Sequence, residues 1–272
     1  MASFDFIEAS SKGYEFFWTN RSYLMRVAVP VIFVKIICLL SVFVLGADKM
    51  YLRQGLILLP GNFAEALFII GLIRYALYQE PIFIWGKLIP PPEKAVPFPS
   101  FQGPLTKKQC VLGGIIMYML LKVIQVGLMA WVLDSVEIPD APSLEQGGDI
   151  PPLLNAFIVF CMLASFMWMF RLLWLYIPIT MGYPFTMFLK RIAGLQSSIY
   201  MVATWLICFL PLIVFFIASL QLFAGGFPEG SVPQVLISTF IQAVAEIIMI
   251  SVQVIAMTYG FVEILKTKIE ET

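Results

Sequence analysis

Two residues of opposite charge stand in a stretch apolar enough for a lipid bilayer. They are Glu65 and Arg74 in GNFAEALFIIGLIRYALYQEP, residues 61–81. Charges placed there can pair helices, relay a proton, or line a path for a polar solute, because in hydrocarbon each must find a partner or water. On a helix, nine residues are about two and a half turns and about 13 Å. Glu65 and Arg74 therefore point to opposite faces, and neither neutralises the other.

The remaining apolar stretches hold Lys35, Lys122, Arg171 and Glu246. Lys35 and Glu65 lie equally far along the chain from Met50, where a tight turn is expected. In an antiparallel hairpin equal offset means equal depth, so a Lys35–Glu65 pair near the bilayer midplane is expected. A single unpaired charge there costs at least about 2.5–3.5 kcal/mol. Lys122 and Glu246 also fall at comparable depth, which makes a second pair of them. Arg74 and Arg171 lie nearer one end of their spans and can snorkel, with Glu80 and Glu263 as competing acceptors. Four cations against two mid-span carboxylates suit an anionic head group, because the arginine fork matches phosphate oxygens.

Enzyme chemistry finds little support. The chain has no histidine, the commonest general base and metal ligand. Cys38, Cys110, Cys161 and Cys208 form no CxxC pair and read as small packing residues. The carboxylates Asp134, Glu137, Asp140, Glu145 and Asp149 do not follow the spacing of a calcium loop. No catalytic residue, cofactor site or metal site is expected.

These residues sit in a chain of 272, of which 60% are apolar and 12% charged, with mean hydropathy +0.91. A soluble domain has about 25% charged residues, so an all-α, polytopic membrane protein is expected. A helix needs about 20 apolar residues to cross a bilayer. Six runs qualify: 24–47, 56–78, 110–133, 153–179, 199–224 and 234–265. They group into a first hairpin (24–79), a proline-rich linker (80–109), a second hairpin (110–179) and a third (199–265). Residues 1–22 do not read as a signal peptide. Phe4, Ile7, Ser11, Tyr14 and Trp18 recur at helical spacing, which predicts an amphipathic helix lying in the membrane interface.

The connections alternate in charge. Lys12, Arg21 and Arg26 precede the first span, Lys87, Lys94, Lys107 and Lys108 lie in the second connection, and Lys190 and Arg191 lie in the fourth. Lys266 and Lys268 follow the last span, whereas the third and fifth connections hold no Lys or Arg. Basic loops stay in the cytoplasm, so both termini are expected there, with Lys49 and Arg53 dissenting in a short turn. Zero net charge speaks against a nucleic-acid partner.

Two further patterns carry information. NFAEALFII and QAVAEIIMI align Glu65 with Glu246, and ICLLSVF echoes ICFLPLIVF, which reads as a faint parallel repeat of the kind found in transporters. IRYALYQEP, RLLWLYIPITMG with the following FLKRIAGLQSSIYMVATWLICFLP, and the entry GYEFFWTNRSYLMRVAVP together resemble a bacterial six-helix family. That family includes YciC-type inner-membrane proteins and the membrane domain fused to some glycerophosphodiester phosphodiesterases. Arg74, Glu80 and Pro81 match its second-span motif, and Arg171 and Pro178 its fourth-span motif. The resemblance implies the bacterial cytoplasmic membrane and no cofactor. The expected role is a non-enzymatic envelope scaffold or accessory subunit contacting anionic lipid, with a membrane-protein partner or a second copy. The alternative is a small-molecule or lipid transporter using Lys35, Glu65, Lys122, Arg171 and Glu246.

Overall fold

The computed structural model describes residues 4–47, 50–82, 105–135, 160, 170–192, 195–228 and 230–266. Every regular element among them is helical. In chain order these are α1 (Phe6–Val44), α2 (Tyr51–Tyr78), α3 (Lys107–Ser135), a 3-10 turn (Arg171–Trp174), α4 (Tyr176–Thr180), α5 (Phe185–Arg191), α6 (Leu195–Ala224) and α7 (Val232–Lys266). Five helices among the described residues (α1, α2, α3, α6 and α7) are long and apolar enough to cross a membrane. The fourth expected span, 153–179, lies mostly outside the described residues. Its end appears as the 3-10 turn and α4. The linker residues 83–104 and the acidic loop 136–149 also lie outside them.

Central α1 runs against α7, α2 and α6, while α2 also packs on α3 and α7. Short α4 wedges between α3, α2 and α7. The N-terminus of α1 and the C-terminal part of α7 meet at one end, the terminal end, where the Tyr259 hydroxyl donates to Glu8 at 2.8 Å. The α1–α2 and α6–α7 turns lie at the other, the turn end. Packing is graded between the two. In α2, Phe68, Ile69, Ile70, Leu72, Ile73 and Tyr75 are fully buried, whereas Tyr51, Leu52 and Leu56 near its start are exposed. In α7, Val254, Ile255 and Met257 are buried and Val232, Leu236 and Phe240 exposed. Outward faces carry Val29, Phe33, Leu112, Ile116, Val214 and Phe215, an apolar surface of the sort that lipid covers.

The N-terminal segment departs from expectation. Residues 6–22 are not a separate helix but the first turns of α1, which runs unbroken for 39 residues, about 58 Å. Asp5 starts it by accepting from the amides of Ile7 and Glu8. No residue then stops it before Gly46, whose φ of 57° lets the Ala47 amide turn back to the Val42 carbonyl. The face that α1 packs on the bundle is not the Ile7–Trp18 face. Ala9, Gly13, Phe16, Asn20, Tyr23 and Val27 are buried, whereas Ile7 and Trp18 are exposed. The reason is close approach. A Cβ on Gly13 would lie 2.7 Å from the Val252 carbonyl oxygen and 2.9 Å from the Ala256 Cβ, so small residues let α1 and α7 touch backbone to backbone. The Tyr14 hydroxyl adds a bond to the Cys208 carbonyl at 2.9 Å.

Gly13→Val should therefore separate α1 from α7 and cost about 1–3 kcal/mol, the range for overpacking. Its checks are a lower thermal unfolding midpoint in detergent and a smaller monodisperse peak. Gly127→Val, at a glycine with open space around it, is the control expected to be neutral at that site.

Candidate functional site

Polar and charged residues of α1, α2, α3 and α7 converge near the middle of the bundle. Lys35 is carried by α1 into the centre, where its ammonium lies between two carboxylates and contacts both Glu65 and Glu246. Glu65 also accepts from the Tyr118 hydroxyl and lies 3.8 Å from the Lys122 ammonium. Glu246 accepts from the Gln242 amide at 3.1 Å. The result is a series of alternating sign, Lys122, Glu65, Lys35, Glu246. Its two inner members are dry, with side chains 8% and 3% exposed, and its two outer members are accessible, at 28% for Lys122 and 37% for Glu246.

The expected Lys35–Glu65 pair is thus present, but as the middle of a larger network. Lys122 and Glu246 do not form the second pair. Lys122 turns to Glu65, and Glu246 shares Lys35 instead. The repeat register gives this a simple form. Glu65 and Glu246, the aligned glutamates, meet at one lysine. Aligning Cys38 with Cys208 puts Trp205 where α1 has Lys35.

The series lines a cavity of about 590 Å³. Its polar lining includes Gln54 and Asn62 from α2, Gln125 from α3, and Gln242 and Gln253 from α7, and its aromatic lining includes Trp174, Trp205 and Phe209. Trp205 and Phe209 stack at 4.8 Å. The cavity extends from Glu65, Tyr118 and Tyr176 to Tyr51 and Met129, both exposed and both close to the turn end. On the other side of Glu65 the buried residues of α2, α4 and α7 close the bundle. The amides were not singled out from sequence, although a signal existed. Tyr51, Gln54, Leu58, Gly61 and Glu65 fall on one face of α2, and Gln242, Glu246, Met249 and Gln253 on one face of α7.

Arg74 and Arg171 are elsewhere. Gln79, with φ 54°, ends α2 and swings Glu80 back, so the Glu80 carboxylate receives the Arg74 guanidinium in a two-pronged bond at 2.8 and 2.9 Å. Arg74 also donates to the Thr180 carbonyl at 3.4 Å, Tyr78 to that of Met181 at 2.9 Å, and Lys107 lies 3.0 Å from Glu80. The IRYALYQEP and PITMG stretches are therefore two halves of one clasp. Arg171 is buried and donates to the Ile192 carbonyl at 2.6 Å. Arg74 and Arg171 are held by protein groups, not snorkelling to the surface, while Glu263 sits beside Asp5, Glu8 and Tyr259. Among the described residues no His, Cys, Asp and Glu group has the makings of a metal site.

Lys35→Met strands Glu65 and Glu246 together and should cost about 3–5 kcal/mol, as for breaking a buried pair. Adding Glu65→Met should restore only part, because Lys122 then lacks Glu65 and Glu246 lacks Lys35. Unfolding midpoints of the single and double variants read this. At the clasp, the hydrogen bonds from Arg74 are the largest influence and, with Lys107, hold the Glu80 carboxyl below its ordinary value of 4.5 despite partial burial. A lowered carboxyl stabilises the fold above its unfolded value and loses that contribution as pH falls through the folded one. Stability should thus drop below about pH 4.5, and Glu80→Gln should be less stable at pH 7 but have a shallower acid decline. The measurement is the unfolding midpoint of both proteins from pH 7 to pH 3.

Comparison with known proteins finds no matching family model, no matching curated protein and no matching solved structure.

Proposed function

We propose that the protein is a non-enzymatic carrier of the bacterial inner membrane that admits a small polar solute to its intramembrane cavity. The carrying observation is that the four mid-span charges and five side-chain amides line one space instead of being scattered over separate helix contacts. A bundle that needed only to hold its helices together has no use for so much polar lining in hydrocarbon, where each buried polar group is costly without a partner. The grading of the packing supports the same reading. The cavity reaches one end of the bundle and is sealed from the other, as expected of a carrier resting open to one side. With basic loops inside, the sealed terminal end is cytoplasmic and the cavity faces the periplasm.

The scaffold that grips anionic lipid through Arg74 and Arg171 is the weaker reading. Both guanidinium groups already have protein acceptors, and around the cavity the cation surplus disappears into two lysines and two glutamates.

Thiol labelling tests the proposal. In a background with all four native cysteines replaced, Gln54→Cys and Gln125→Cys should react in intact cells with a water-soluble, membrane-impermeant reagent, whereas Leu72→Cys should not. If neither cavity position reacts in a folded protein, the space is not reached from outside and the carrier reading fails.

A further inference from the structure

The order of the charges identifies the class of solute, an inference that rests on the carrier reading. We infer that the cavity takes a zwitterion, a molecule bearing an ammonium and an acidic group together, with the acidic group at Lys122 and the ammonium at Glu246. Lys35 and Glu65 are not the recognition groups. Both are almost wholly buried, and each is already flanked by two opposite charges. Lys122 and Glu246 are the open ends of the series, one positive and one negative, and each has an opposite charge on one side only. Lys122 is also the most loosely held, 3.8 Å from its carboxylate, with its ammonium 5.5 Å from the centre of the Tyr118 ring.

Charge balance narrows the choice. Two lysines and two glutamates are the charged residues of the lining, so among the described residues the cavity is neutral in sum. A solute of net charge entering it would bring an unbalanced charge into a region of low dielectric, where solvation by water is largely lost. An apolar solute would leave Lys122 and Glu246 facing it without solvation. A neutral solute carrying both signs does neither. Laid antiparallel to the series, it extends the alternation, each end meeting its opposite. The amides of Gln125 and Gln242 stand one helical turn from Lys122 and Glu246 and supply hydrogen bonds beside each charge. Trp174, Trp205 and Phe209 offer an apolar wall for the body of the solute.

The chemistry belongs equally to a free amino acid and to the head group of a zwitterionic phospholipid, so the test has two arms. In the first, the purified full-length protein in phosphatidylglycerol nanodiscs is titrated by calorimetry with L-leucine, with 3-methylbutylamine and with 4-methylpentanoate. These share an alkyl body and carry both charges, the cation alone and the anion alone. In the second, native mass spectrometry compares retention of phosphatidylethanolamine and phosphatidylglycerol from an equimolar mixture. Binding of leucine at least tenfold tighter than either single-charge compound, or selective retention of phosphatidylethanolamine, supports the inference and names the source. Lys122→Gln and Glu246→Gln should each reduce that preference at least tenfold, whereas Lys107→Gln, on the clasp, should not. Equal or tighter binding of the amine or the acid overturns the zwitterion. So does binding in neither arm, and so does a preference that survives both cavity substitutions. A protein whose Gln54→Cys and Gln125→Cys variants label from outside, yet which shows none of these preferences, remains a carrier for another solute. One that does not label loses the carrier reading itself.

Discussion

The ammonium of Lys35 is the point on which the bundle turns. An isolated charge in hydrocarbon is too costly to keep, and here a single cation satisfies two carboxylates from different helices. That ties α1 to α2 and to α7 at one depth. α1, α2 and α7 are also the helices in mutual contact at the centre of the bundle. The electrostatic joint and the packing joint therefore coincide. The contact also sets the boundary between two regimes. Toward the chain termini the interior is close-packed and apolar. Toward the turns it is looser and polar, and there Lys122 and Glu246 are partly exposed.

Much of this was legible from residue type. A charge within a long apolar run marks itself, and equal offset from the Met50 turn placed Lys35 beside Glu65. The partners of each charge were not legible. Which face a helix turns to its neighbour depends on how several helices pack, and counting along one hairpin cannot show that α7 delivers a second glutamate to the same lysine. The repeat pointed that way by matching Glu65 with Glu246, without saying that they converge. The amides at Gln54, Gln125, Gln242 and Gln253 could have been found by asking which polar residues share a face with the charges.

The packed face of α1 was not legible for a different reason. Hydropathy weighs Ile7 and Trp18 heavily and Ala9, Ser10 and Gly13 lightly. In a bundle where lipid is as apolar as the core, small residues bury better because they let backbones meet. Ile7 and Trp18 are left outside, where Trp18 carries Arg21 over its ring at 4.4 Å. The clasp was hidden for yet another reason. Arg74 and Glu80 are six residues apart, a spacing at which a continuing helix would not pair them. They meet because Gln79 adopts a left-handed conformation, rare outside glycine and asparagine.

That clasp does more than neutralise an arginine. Glu80, where the chain leaves α2, and Lys107, where it enters α3, are joined by an ion pair, and the Leu105 amide bonds the Gly182 carbonyl. The chain between them departs from and returns to nearly one spot on the bundle. Such a tether isolates the helices from whatever is strung between its ends. The entropy of closing a loop grows only with the logarithm of its length, about 0.6 kcal/mol per doubling. The α2–α3 junction is thus a port. Chain can be lengthened there, or a soluble domain grafted in, while α2 and α3 keep their register and the cavity at the far end keeps its shape.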